Sequence, residues 1–327
     1  MQKINIPKTD LYASPLVLGT DYFGTTVSRE RSMQLMDHYL DAGGNVIDTA
    51  ELYTRWVTGG EHQSEKVIGE WLRNRGVRGQ VILSTKGAHP RLEAMEIPRL
   101  SKADIQADLD SSLQRLGVEH VDLYWLHRDA PGYPVEEILE SLDAFRQAGK
   151  IRYSGFSNWT QARAEEARQA ADRLGVQGFV AIQNMWSLGK ADLSKADPTW
   201  AYVDEPFVRW HIEHGLAAFP YSTQALGYFR RMEHGTLNQV PEDATVRQLF
   251  DHQENRDRFQ RLCSLQRKHN FSVGQIVLGY LTSQPFPVFP IAGPKTLSDL
   301  EDCLRNVETK LSQSDLLYLE HGEMENG

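Results

Sequence analysis

The chain has 327 residues, a formal net charge of −9 and 40% hydrophobic residues, enough apolar material for a substantial core. The acidic balance argues against nucleic acid or an anionic membrane surface as a partner, because both call for a basic face. Met1–Pro7 lacks the apolar stretch of a signal peptide, and no run reaches the roughly 20 apolar residues of a membrane span. Cys263 and Cys303 stand far apart without metal-ligand spacing, so a cytoplasmic protein with two reduced thiols is expected.

In chain order, strand-like runs alternate with amphipathic helical ones. Lys3–Tyr12 reads as a short two-stranded element. Candidate strands then follow at Pro15–Thr20, Asn45–Thr49, Gln80–Lys86, Val121–His127, Tyr153–Ser157, Phe179–Gln183, Leu216–Tyr221 and Val288–Ala292, several of them continuous apolar runs of the kind a covered parallel sheet requires. Helices are predicted at Arg29–Ala42, Ser64–Arg75, Ala103–Leu116, Pro134–Ala148, Gln161–Leu174, Pro206–Glu213 and Val273–Ser283, many closing on glycine. Two more are expected at Leu297–Asn306 and Gln313–Glu320. Eight strand–helix units without an internal linker predict one (β/α)8 TIM barrel over residues 1–327, with an N-terminal hairpin; a doubly wound sheet is the second reading. The long connections Gly87–Leu100, Met185–Asp204 and Ser222–Val246 all follow strands. They therefore extend the C-terminal face, where barrel enzymes build their sites.

Reactive side chains gather at those strand ends. Strand two ends in Asp48, with Tyr53 shortly after; strand three ends in Lys86 and strand four in His127. Singly, each has an ordinary explanation as a cap, a surface charge or a loop histidine. Together they are harder to dismiss, because a lysine and an aspartate on adjacent inner strands are costly unless paired. A tyrosine phenol near pKa 10 is a poor acid at neutral pH. A neighbouring lysine would lower that value, an aspartate would hold the lysine, and a histidine could orient a substrate oxygen. The set supplies an acid beside a polarised carbonyl, with neither a nucleophile nor a metal cage; no metal is expected. The absent component is a hydride, which a cofactor must bring. His211 and His214, spaced like helix-face neighbours but without a carboxylate or cysteine partner, are expected to be exposed.

The run Asp48–Tyr53, with Lys86 and His127 at the next two strand ends, resembles the catalytic tetrad of the aldo-keto reductase family. The resemblance extends to Gly19–Gly24, Gly155–Asn158, Gln183-Asn184, Pro220–Ser222 and Pro290–Gly293. It implies reversible NAD(P)H-dependent reduction of an aldehyde or ketone, a sugar or aryl carbonyl among the options. Tyr53 would be the acid, Lys86 and Asp48 would tune it, and His127 would place the carbonyl. It further implies that Gly19, Thr20, Asp48, Ser157, Asn158, Gln183, Tyr221, Ser222, Gly293 and Lys295 meet the cofactor, which family members hold extended across the barrel mouth. NADP(H) is favoured through Lys295, with NAD(H) the alternative, since Asp299 and Cys303 depart from the residues common in the family. Tyr22, Trp56, Trp125, Trp159 and Trp186, each adjoining a strand-end motif, are the expected pocket walls. The partner is thus a small carbonyl or alcohol. A cofactor-binding regulatory subunit with little turnover is the competing function, and a metal-dependent hydrolase fails for want of a His-x-His pair.

Overall fold

The structure is a computed structural model and describes residues 1–322. A hairpin, β1 (Ile4–Asn5) and β2 (Tyr12–Ala13), opens the chain. The repeating units are β3 (Val17–Gly19) and α1 (Arg29–Asp41), β4 (Val46–Asp48) and α2 (Gln63–Arg75), β5 (Ile82–Gly87) and α3 (Lys102–Leu116), and β6 (Val121–Leu126) and α4 (Val135–Gln147). They continue with β7 (Ile151–Phe156) and α5 (Gln161–Leu174), then β8 (Ala181–Ile182) and α6 (Glu205–His214). After β9 (Ala217–Ala218) come α7 (Tyr228–Glu233), α8 (Thr245–Phe250), α9 (Gln253–His269) and α10 (Val273–Thr282). β10 (Ile291–Ala292), α11 (Leu297–Asn306) and α12 (Gln313–His321) complete the described chain.

β3 through β10 form one parallel sheet in the order β10-β3-β4-β5-β6-β7-β8-β9. Its two ends meet, because Phe289 N donates to Ala218 O at 2.8 Å and Ile291 N to Pro220 O at 3.0 Å. The expected (β/α)8 barrel is therefore present. All but one of the strands are shorter than their predicted runs; β7 instead starts two residues earlier than expected, at Ile151.

Local chemistry sets the helix ends. Ser28, Ser101, Thr160 and Asp204 accept a backbone N–H at the start of α1, α3, α5 and α6; each such cap satisfies one of the free donors of a first turn. Gly76, Gly117, Gly175 and Gly215 end α2, α3, α5 and α6 in the left-handed conformation, which costs glycine nothing.

Side chains alternate between two cores. The barrel interior holds Val17, Val46, Ile82, Leu123, Trp125, Ala181, Ala217, Phe219 and Ile291, closed at the N-terminal end by Ile6 and Leu11 of the hairpin. The intervening residues, among them Leu18, Ile47, Leu83, Tyr124, Phe156 and Ile182, face the helices. The period of two is that of a strand. It matters for the site, because residues an even number of positions past the last interior residue of a strand point toward the barrel mouth.

α2 and α3 pack unusually close at Gly69, where a β-carbon would lie 2.5 Å from Arg115 O and 2.7 Å from Leu116 O. Both obstacles are backbone, so neither can rotate away. Gly69→Ala should cost about 1–3 kcal/mol and lower the unfolding midpoint without changing catalysis. A midpoint equal to that of the parent would mean the helices part freely.

Three helices and one histidine depart from expectation: α7 falls inside the connection expected at Ser222–Val246, and α8 begins in it. α9 was not visible in the sequence: its buried stripe is Asn255, Arg258, Leu262 and Leu265, so half of the residues that face the core are polar. They are accommodated by bonds, Arg258 Nη1 donating to Leu188 O at 2.8 Å and Asn255 Nδ2 to Phe250 O at 2.9 Å. His211, expected on the surface, is fully buried. Its ring stacks on Phe286 at 4.7 Å and its Nδ1 lies 3.0 Å from Leu216 O; burial pushes its pKa down to about 4, so it packs as a neutral aromatic. No helix among the described residues is long and apolar enough to cross a membrane.

Candidate active site

The alternation delivers four side chains to one mouth. Asp48 follows interior Val46 by two, Lys86 follows Ile82 by four, and His127 follows Trp125 by two. Tyr53 comes from the turn after β4 and is half-buried. Lys86 Nζ donates at 2.5 Å to Asp48 Oδ2, at 2.8 Å to Thr49 O and at 2.8 Å to the Tyr53 hydroxyl. Lys86 and Asp48 are each 1% exposed, so this is an ion pair deep in the protein. Asp48 Oδ1 accepts from Ser84 Oγ at 2.7 Å and Gln183 Nε2 at 3.1 Å. Both carboxylate oxygens are thereby occupied, the condition under which a buried pair is tolerated. The His127 ring stands edge-on to Tyr53 at 6.2 Å and to His89 at 4.9 Å.

Burial dominates the electrostatics. It holds the Tyr53 phenol well above its ordinary value, with the Asp48 and Asp21 charges acting the same way. The lowering expected from Lys86 is thus outweighed, and Tyr53 carries its proton as a neutral acid. Burial lowers Lys86, against which Asp48 works to keep it charged. Burial also drives His127 far below its ordinary value, helped by His89, Arg128 and Lys86. The imidazole is neutral, a hydrogen-bonding group and not a cation.

Asp21, which sequence reasoning passed over, also reaches this mouth: it follows interior Val17 by four, in the turn just past the end of β3. Burial raises it to about 6, partly offset by its own backbone N–H and by Lys86 and Lys295. Its folded value lies above the ordinary 3.8, so the folded protein binds this proton more tightly than the unfolded chain. Its contribution to stability is complete below about pH 4 and is lost as pH rises through about 6. Asp21→Asn should therefore raise the thermal midpoint at pH 8 and barely move it at pH 4. An equal shift at both would show that charge is not the cause.

A cavity of about 860 Å³ opens over these groups. Tyr53, Lys86, His127, Gly19, Ser157, Asn158, Gln183, Tyr221, Ser222, Gly293 and Lys295 all line it. Two glycines stand in the lining where a side chain would crowd its neighbours. A β-carbon at Gly19 would lie 2.8 Å from Ile291 Cγ2, and one at Gly293 would lie 2.9 Å from Asp21 Oδ1. The amide and hydroxyl groups form a connected set: Tyr221 Oη donates to Asn158 Oδ1 at 2.6 Å, Asn158 Nδ2 to Ser157 Oγ at 3.0 Å, and Ser157 Oγ to Gln183 O at 2.5 Å. Thr20 is different. Its side chain turns away from the cavity, donating to Asp48 O at 2.9 Å and meeting Ser64 Oγ at 2.8 Å; it ties β3 to β4. At the far end, Asp299 Oδ2 accepts from Thr296 N and Oγ1 in a capping box, so that oxygen is turned to its own helix. Arg230 and Arg231 of α7 also line the cavity, a basic contribution the sequence did not disclose.

The aromatic walls divide. Tyr22 and Trp56 line the cavity, and Trp200, from the long loop after β8, joins them. Trp125, Trp159 and Trp186 do not. Trp125 fills the barrel interior against Phe219 at 5.3 Å, in space that Gly155 leaves open. Trp159 stacks on Phe156 at 4.9 Å behind the sheet, and Trp186 on Phe286 at 6.0 Å. All three are at most 2% exposed. Arg128, next to His127, was also overlooked and lines the cavity.

Comparison with known proteins identifies the family. The aldo/keto reductase family model matches residues 15–321. The chain is 26% identical to norsolorinic acid reductase stcV of Emericella nidulans, covering 96% of this chain and 79% of that protein. It is 27% identical to the uncharacterized oxidoreductase YrpG of Bacillus subtilis, covering 98% and 95%, and 26% identical to the protein tas of Escherichia coli, covering 98% and 97%.

Proposed function

The chain belongs to the aldo/keto reductase family and is an oxidoreductase acting on carbonyl groups; from that premise we propose that it reduces an aldehyde or ketone to the alcohol, reversibly, with Tyr53 as the proton donor. The observation that carries this reading is the chain of contacts Asp48–Lys86–Tyr53 at the floor of a cavity that His127 also lines. A nicotinamide cofactor, when held there, would supply the hydride. Tyr53, neutral through burial, gives its proton to the carbonyl oxygen. Lys86, donating at 2.8 Å to that same phenol oxygen, stabilises the phenolate as it forms. Neutral His127 offers an N–H to the carbonyl and fixes its direction. In oxidation the roles of Tyr53 reverse.

Ser157, Asn158 and Gln183 are the groups suited to hold the carboxamide, and Tyr221 offers a face to the ring. Gly19, Ser222 and Gly293 would form the cradle. Lys295 with Arg230 favours the phosphate of NADP(H) over NAD(H), and Asp299, spent in its cap, opposes it weakly. The test is a panel of aldehydes, ketones and sugars assayed with each cofactor. Turnover with a higher kcat/KM for NADPH is expected. A clear NADH preference would overturn the cofactor choice, and tight cofactor binding with no turnover on the whole panel would favour a regulatory subunit.

A further inference from the structure

We propose that Arg128 anchors the substrate of this site, and that the preferred substrates are carbonyl compounds bearing a carboxylate. The inference rests on the carbonyl reductase reading above. Three arginines are buried among the described residues: Arg128, Arg163 and Arg258. Arg163 pairs with Asp129 at 3.3 Å and Glu166 at 2.8 Å, and Arg258 with Glu254 at 3.5 Å. Arg128, 9% exposed, makes no such pair within 4.0 Å among the described residues. Its Nη1 donates to His127 O at 3.1 Å, and its Nε is buried without an acceptor.

A guanidinium removed from water without a counter-charge is expensive. This one sits in the residue next to His127 and lines the same cavity as Tyr53. Asp197, the acid that acts on it electrostatically, spends its Oδ1 on its own turn, accepting from Thr199 N at 2.8 Å and Thr199 Oγ1 at 2.7 Å. Asp197 therefore attracts Arg128 only from beyond 4.0 Å, and a contacting counter-charge is left for a ligand. One unpaired guanidinium suits the single charge of a carboxylate, and Leu52, Trp56 and Trp200 supply apolar wall for the carbon body. Of the other cavity cations, Lys295 already lies over the Tyr22 ring, its Nζ 4.1 Å from the centroid, and Arg231 Nη1 donates to Leu226 O at 2.7 Å.

The experiment compares matched acids and esters on the cofactor-loaded enzyme: succinic semialdehyde and 4-carboxybenzaldehyde, each against its methyl ester. The acids should be preferred in kcat/KM by about tenfold or more, the scale of a charge-assisted hydrogen bond. Arg128→Met should lower kcat/KM for each acid at least about tenfold more than for its ester. Arg128→Lys, which keeps the charge and guards against misfolding of the first variant, should recover part of the difference. Benzoate binding to the NADP⁺-loaded protein, measured by calorimetry, should weaken in parallel. Esters turned over as well as acids by the parent enzyme, or an acid-to-ester ratio and benzoate affinity that Arg128→Met leaves alone, would overturn the assignment. Benzoate binding through Arg128 with no aldehyde reduced at all would instead retire the reductase reading and leave the anion site standing.

Discussion

Tyr53→Phe should lower the rate of carbonyl reduction by about 10²–10⁴-fold, the usual contribution of a positioned acid, while leaving cofactor affinity nearly unchanged. The substitution removes one oxygen and little else. Lys86 keeps Asp48 Oδ2 and Thr49 O as acceptors, so no buried charge is stranded and the fold should hold. The ring remains beside His127 and Trp56, which preserves the shape of the cavity. Cofactor binding followed by fluorescence and reduction followed in a single turnover would separate the two effects. Turnover close to that of the parent would remove Tyr53 from the role of acid, whatever the geometry suggests.

The frame of this site was readable because strand periodicity is strict. Asp48, Lys86 and His127 could be placed at successive strand ends from apolar runs alone, and their convergence then followed from barrel closure. The same rule was available for Trp125 and gives it the inward face of His127, one layer deeper than the expected pocket wall. Trp125 precedes His127 by two, so it lies in the interior one layer below the mouth, opposite Gly155. Proximity in sequence to a motif is a poor guide to side-chain direction, and Trp159 and Trp186 were misplaced for the same reason. Asp21, two beyond Gly19 on the first strand, was legible by that rule. Trp200 was not: it reaches the cavity from a long loop whose path depends on tertiary packing. The charge state of Tyr53 was equally hidden, because it depends on how much water the assembled mouth excludes. From residue types the lysine sets the phenol's pKa; in the folded protein burial outweighs it. α9 escaped because Arg258 and Asn255 occupy core-facing positions that an apolar count treats as surface.

Lys86→Met should damage the enzyme twice, and the two injuries can be separated. The first is catalytic. Without the ammonium, nothing at the 2.8 Å contact stabilises the phenolate, so reduction should fall by orders of magnitude. In the alcohol-oxidising direction, which needs the phenolate as base, the rising limb of the pH profile should move to higher pH, since loss of a cation raises the phenol's pKa further. The second injury is to stability. Asp48, 1% exposed, would keep the donors Ser84 and Gln183 but lose its counter-charge, and breaking a buried pair from one side costs about 3–5 kcal/mol. Adding Asp48→Asn to Lys86→Met removes the stranded carboxylate. The double variant should regain much of the lost stability, read as an unfolding midpoint in denaturant, and regain none of the activity. If restoring stability also restored turnover, Lys86 would serve only to hold the barrel mouth together. If the single variant kept both its rate and its pH profile, the lysine would have no part in proton transfer at all.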